Sequence, residues 1–253
     1  MIDIQSSEDC RGIFLHNVGV KDYLLQASIN EQHTLAKIQF GVSLGETQKG
    51  IHMSRLCHLL DSFETISNDT VIKILTLGIE LLNAKLAKIV IDSTYFRKKT
   101  APVSGIDGTM SYIVRIAASM TDDGSVAIKH SINVPVTAVC PCSKAISNFG
   151  AHNQRGIICV TLLGVDVYNY NDIITIIEKN GASCELYSIL KREDEKNVTE
   201  AAYDNAKFVE DIVRDTVIGL STHYPDQIDS IECVNYESIH NHNAFAQFSS
   251  ENI

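Results

Sequence analysis

The stretch from Pro135 to Gly156, PVTAVCPCSKAISNFGAHNQRG, gathers Cys140, Cys142, His152, Lys144 and Arg155 within 22 positions. Cys140 and Cys142 flank Pro141. In an extended segment residues two apart share a face, whereas a turn at the proline splits them, so one thiolate aimed at a metal is a reasonable expectation. Two thiolates closing on one ion usually need at least two residues between them, which sets Cys-Pro-Cys apart from an ordinary structural zinc knuckle. A second cluster, His240-Asn241-His242, lies near the C-terminus beside Glu237. Cysteine, imidazole and carboxylate together suit a borderline-soft divalent ion. Taken singly, each cysteine reads as a small apolar residue and each histidine as an exposed polar one; their density in two stretches rich in glycine, asparagine and serine favours a site.

Composition bounds the function. The 253 residues are 45% hydrophobic with four prolines, enough for one large or two small compact units of ordinary globular type. A net charge of -10 argues against a nucleic-acid surface, so an anionic substrate must meet a local basic pocket. No apolar run approaches 18 residues, and the start MIDIQSSEDCRG lacks a basic region followed by an apolar one, so neither a membrane span nor a signal peptide is expected and the cytoplasm is the default. Seven cysteines without a framework spacing fit reduced thiols in metal or catalytic use.

Periodicity supplies the elements that must position these residues. Strands are expected at Asp22 to Ile29 and Thr34 to Ser43, joined by the polar turn Asn30 to His33. Helices should follow at His52 to Phe63, where Met53, Leu56, Leu59, Leu60 and Phe63 recur at helical spacing, and at Asp69 to Leu86. Lys88 to Tyr95 and Ser111 to Thr121 read as strands around a glycine-containing loop. After Thr121-Asp122-Asp123-Gly124 come strands at Ser125 to Val134 and Gly156 to Val165 and a short helix near Asp172 to Lys179. A longer helix over Asn205 to Leu220 and a last strand at Ser230 to Tyr236 complete the order. The chain thus reads as two similar halves, 1–122 and 123–253, the second carrying most of the candidate site.

The blocks PVTAVCPCSKAIS and GAHNQRG, with KGIHMSRL, VGVKD, LKREDEKNVTEAAYDNAKFVEDIVRD and NYESIHNHNAFA, resemble the type IB GTP cyclohydrolases in the same order across nearly the whole chain. The resemblance implies an α+β protein of tandem tunnelling-fold (T-fold) modules, antiparallel sheets with helices on one face, closing into barrels by oligomerisation, as a homotetramer with sites at subunit interfaces. It implies hydrolytic opening of GTP with loss of C8 as formate, then rearrangement to 7,8-dihydroneopterin triphosphate, the start of tetrahydrofolate and of queuosine synthesis. It places Cys140, His152, Glu195 and His240 at a metal centre, which zinc, manganese or iron(II) could occupy. Such a ligand set can leave a position open for water.

The same resemblance gives Glu210 the guanine base, since a carboxylate accepts both the N1 hydrogen and the exocyclic amine, a contact adenine cannot supply. The competing reading of Glu210 is a surface pair with Arg214, four residues on. Lys49, His52 and Arg55, joined by Lys144 and Arg155 and by backbone amides near Ser54, are the candidates for the triphosphate. His240, His242 or Glu237 would move protons to the purine nitrogens, and His242 has the further option of orienting its neighbour. Two other functions are compatible with these residues: a nitrile reductase of the same broad fold, which would need a nicotinamide cofactor, and a non-catalytic metal-binding or assembly protein, which would close the metal shell and ignore GTP.

Overall fold

The computed structural model describes residues 5, 7–164 and 168–250. The chain forms two compact units interleaved along the sequence: one takes the chain up to Tyr95 together with Val114–His130, the other Phe96–Ile113, Ser131–Leu163 and the chain from Tyr168. This differs from consecutive halves meeting at 122/123. The reason is the length of three strands, β4 (Leu86–Thr100), β5 (Asp107–Thr121) and β6 (Val126–Val139), each of which has one end in each unit.

In the first unit, β1 (Leu15–Ile29) and β2 (Gln32–Leu44) form the expected hairpin, closing through Asn30 and Glu31, both at positive φ. Asparagine tolerates that region better than most residues. The hydrogen-bonded order is β3-β1-β2-β4-β5-β6, with β3 (Thr65–Ile66) a two-residue parallel addition to β1. Alternate residues Ala36, Ile38, Phe40 and Val42 of β2 are buried, as a one-sided sheet requires. Helices α1 (Met53–Asp61) and α2 (Asn68–Leu82) cover that side. A Cβ on Gly78 would stand 2.5 Å from the Phe40 ring, so α2 rests directly on β2. Truncating Phe40 to alanine would cost roughly 3–5 kcal/mol. Helix α2 is capped by Ser67, whose Oγ accepts from Thr70 N. It stops at Leu82 rather than Leu86, because Asn83 takes the left-handed conformation that ends helices.

In the second unit the order is β4-β5-β6-β7-β9-β10, from β7 (Asn153–Leu163) through β9 (Ile228–Asn235) to β10 (Ala244–Ser249), with β8 (Cys184–Glu185) on β6. Of the strand expected at Gly156 to Val165, Val165 lies outside the described residues. Helix α4 (Tyr170–Asn180) packs against α6 (Val209–Ser221), and α6 against β9 and β10. Helix α6 begins four residues after the expected Asn205, since Phe208 is still extended at φ -70°, ψ 158°. Four elements of this unit were not expected: α3 (Pro141–Ile146), β8, α5 (Arg192–Asp204) and β10. Arg97 and Lys99 of β4 surround the buried Glu178 of α4, with Lys99 Nζ 2.9 Å from Oε1 and Arg97 Nη1 3.5 Å from Oε2. Burial raises the Glu178 carboxyl above its ordinary range, against the pull of the Lys99 ammonium.

Candidate active site

Strand β6 ends at Val139, and the next residue, Cys140, is the N-cap of α3 with Pro141 as its first helical residue. Proline is favoured there because its missing N–H would be unpaired anyway. The proline therefore opens a helix and separates the two thiols: Cys140 is half-buried with Sγ 3.5 Å from Ser143 N, while Cys142 is exposed. Cys140 N donates to His152 O at 3.2 Å, and His152 N donates to Ser143 Oγ at 3.2 Å. These two bonds close the loop that separates Cys140 from His152.

His152 immediately precedes β7, which pairs with β9. Gly156 pairs with Asn235, and a Cβ on Gly156 would stand 2.6 Å from Asn235 Oδ1, so this crossing tolerates no side chain without a shift. Tyr236 N donates to Arg155 O at 2.9 Å, and Ala244 pairs back to Asn235. The intervening turn carries Glu237, His240 and His242.

Six predicted residues, Cys140, His152, Glu210, Glu237, His240 and His242, line one cavity of about 300 Å³. The His240 and His242 rings stack at 5.1 Å and 15°, both exposed. His152 Nδ1 lies 3.0 Å from Gln154 Oε1, and Gln154 Nε2 donates to Glu237 Oε1 at 3.4 Å. Glu237 Oε2 is buried with no hydrogen-bond partner and stands 4.0 Å from His152 Nδ1. Glu210 sits in the first turn of α6, facing the cavity, and Arg214 pairs with Asp211 at 3.2 Å rather than with Glu210.

Other predicted residues fall elsewhere. Glu195 is exposed on α5 and does not line this cavity; the carboxylate beside Cys140 and His152 is Glu237. Lys144 is occupied structurally: Nζ donates to the Tyr203 carbonyl at 2.5 Å and lies 4.5 Å from the centre of the Tyr203 ring, at the C-terminal end of α5 where a cation is favoured. Arg155 is exposed and absent from the cavity wall. In the first unit, His52 and Arg55 line a cavity of about 520 Å³ at the start of α1, with Ser54 in that helix's first turn. Lys49 lines a smaller recess of about 140 Å³ with Asp9 and Arg11.

Gln154, Lys207 and Asn235 also line the second unit's cavity and were not foreseen. Lys207 is held by the Asn180 carbonyl and by Asp215, 2.7 Å from its Oδ2. Gln154 had a sequence signal, two positions from His152 in GAHNQRG. Asn235, two positions before Glu237 in NYESIHNHNAFA, had a similar one, and Lys207 had none.

Among the described residues, no three histidine, cysteine, aspartate or glutamate side chains converge tightly enough to form a ready ligand cluster. The donor types on the wall nonetheless fit a borderline-soft divalent ion, and the buried, unpaired Glu237 Oε2 is an acceptor left for a cation or a proton. No helix among the described residues is long and apolar enough to cross a membrane.

Comparison with known proteins gives the family. Residues 1–246 match the family described as type I GTP cyclohydrolase folE2. The chain is 41% identical over 249 residues to GTP cyclohydrolase FolE2 of Neisseria gonorrhoeae (strain ATCC 700825 / FA 1090), covering 96% of each. It is 41% identical to that of Neisseria meningitidis serogroup C (strain 053442), over 96% of this chain and 83% of the relative, and 40% identical to that of Azoarcus sp. (strain BH72), over 96% and 93%. The solved urate oxidase from Bacillus subtilis 168 aligns over 92% of this chain and 97% of its own at 10% identity and TM-score 0.49, too loosely to carry an argument.

Proposed function

The chain belongs to the type I GTP cyclohydrolase FolE2 family, and we propose that it is a metal-dependent cyclohydrolase of the type IB subclass. It would convert GTP to 7,8-dihydroneopterin triphosphate with release of formate, at the start of tetrahydrofolate synthesis and, by the same product, of queuosine synthesis. The observation that carries this reading is the meeting of Cys140, His152, Glu237, His240 and His242 with Glu210 on one cavity wall.

Cys140, His152 and His240 are the residues that would hold a zinc, manganese or iron(II) ion, which when bound makes water a stronger acid and so a better nucleophile near neutral pH. Glu210 would accept two guanine hydrogens and so fix which end of the base enters. Glu237, with one oxygen engaged by Gln154 and the other unpaired, can take a proton from water and return it to the purine as C8 is lost as formate. His242, stacked on His240 at the exposed rim, is placed to pass protons between the site and solvent. Lys207 lines the same wall with its ammonium paired to Asp215. His52 and Arg55 at the start of α1 are the candidates for the triphosphate.

The same reading includes a homotetramer of tandem tunnelling-fold modules whose sheets close into barrels between copies. It is supported by the terminal place of β10 in the strand order and by the exposed apolar side chains Phe245 of β10 and Ile218 of α6.

The test is incubation of metal-stripped protein with GTP, with and without added zinc, manganese or iron(II), following formate and the fluorescence of oxidised neopterin. Metal-dependent release of both products is the expected result. Neither product from folded, metal-loaded protein would overturn the assignment in favour of a non-catalytic metal protein.

A further inference from the structure

We propose that Gln154 is a positioning residue that fixes the tautomer of His152, and that Glu237 fixes the orientation of Gln154. The three side chains form a chain of contacts, from Glu237 Oε1 to Gln154 Nε2 at 3.4 Å and from Gln154 Oε1 to His152 Nδ1 at 3.0 Å. A carboxylate only accepts hydrogen bonds, whereas an amide has a donating and an accepting end. Glu237 therefore selects the amide nitrogen of Gln154, which turns the amide oxygen to the histidine. That oxygen can only accept, so Nδ1 of His152 carries the ring hydrogen. Nε2 is then the nitrogen with the free electron pair.

The flipped amide is disfavoured at the Glu237 end. It would set Gln154 Oε1 against a carboxylate oxygen and aim the NH2 group at Nδ1, demanding the opposite tautomer. Backbone structure keeps the three residues in place: His152 is tied by its own N–H to Ser143, and the β7–β9 pairing with the Tyr236 to Arg155 bond brings Glu237 to the same wall. Gln154 is the second residue of β7, and His152 immediately precedes that strand. A histidine that binds a metal commonly has its other nitrogen held by an oxygen, which sets the ring angle and the tautomer. Here the oxygen is an amide whose own direction depends on a third residue, so the wall is organised before anything binds.

This inference deepens the proposed function and rests on it only in taking His152 Nε2 as the nitrogen offered to the cavity. The test uses the metal-free full-length chain labelled with 15N-histidine at about pH 8, above the ordinary histidine range. His152 is identified by the signals lost in His152→Gln. The expected result is Nδ1 at the shift of a protonated ring nitrogen and Nε2 at that of a bare one. Gln154→Leu and Glu237→Gln should each mix the two forms and weaken zinc binding by roughly 10- to 100-fold, with the double variant no worse than either single one. An Nε2-protonated ring in the unaltered protein, His152 signals unmoved by Gln154→Leu, or additive losses in the double variant would each overturn the proposal. Turnover of GTP is scored separately: the expected tautomer without formate or neopterin removes the cyclohydrolase reading alone, and both products with the opposite tautomer remove this inference alone.

Discussion

The carboxylate of Asp194 in α5 closes on Ser104 in the loop between β4 and β5, Oδ2 accepting from the hydroxyl at 2.5 Å. The same side chain accepts from Ser104 N, Val103 N and Lys191 N, so a buried aspartate ties the loop to the start of the helix. Burial alone would raise its pKa, but the hydrogen bonds from Ser104, Lys191 and Val103 outweigh that and hold it well below the ordinary carboxylate range.

Asp194→Asn should therefore lower the urea midpoint at neutral pH, because the amide offers fewer acceptor sites to the same donors. The contribution of a carboxyl with a depressed folded pKa is present above its ordinary value and is lost as pH falls towards the folded one. The gap between the two proteins should narrow in acid. Unfolding at fixed protein concentration from neutral pH down to about 3, within the range where unfolded carboxyls titrate, checks it.

His130 also loses stability in acid, but in a higher pH window. It is buried on β6, with Nε2 2.9 Å from Asn68 Oδ1, and burial pushes its pKa down to about 4 from 6.5. The unfolded chain takes up this proton first, so stability should fall as pH drops from about 6.5 towards 4. At roughly 1.4 kcal/mol per pH unit the full loss is about 3 kcal/mol. His130→Gln should remove that part of the slope; an unchanged slope would mean that His130 is not the group responsible.

The sequence made the hairpin of β1 and β2 and helices α1 and α2 readable because each presents an apolar period that packing uses directly. Helix α5 was invisible for a physical reason: its sequence REDEKNVTEAAYD has no apolar stripe, and only Asp194 and Ala202 are buried. It is held by the hydrogen bonds of Asp194 and by Lys144 at its far end, which periodicity cannot see. Within the candidate site, residue types pointed to Cys140, His152 and the histidine turn. The contribution of Gln154 depends on the distance between β7 and β9, and that of Lys207 on where α6 starts.

Lys144 should behave as a structural residue. Its ammonium serves the carbonyls of Tyr203 and Asp204 and the Tyr203 ring. Lys144→Met is expected to lower thermal stability while leaving the KM for GTP within about threefold, less than the tenfold that 1.4 kcal/mol of lost binding would produce. A large rise in KM with unchanged stability would return Lys144 to the triphosphate.

Cys140 and Cys142 should separate cleanly. Cys140→Ala is expected to deplete bound metal and to lower turnover by more than the roughly 10- to 100-fold that outer-shell substitutions cost. Cys142 is exposed on α3 and absent from the cavity wall, so Cys142→Ala should retain metal and most activity. Metal content by atomic emission, read beside neopterin fluorescence, makes the comparison, and equal losses in both variants would remove the distinction.

Glu210 tests recognition apart from chemistry. It stands on the cavity wall at the start of α6 while Arg214, four residues on, is engaged by Asp211, so a local ion pair does not account for it. In Glu210→Gln the side chain keeps its size, but its nitrogen donates where guanine N1–H and the exocyclic amine also donate. One charged hydrogen bond is worth about 1.5–3 kcal/mol, so KM for GTP should rise by roughly 10- to 100-fold. Metal content should not change, because Cys140, His152 and His240 are untouched. Metal loss in this variant would instead make Glu210 a ligand or a structural support, and guanine selection would have to come from another residue.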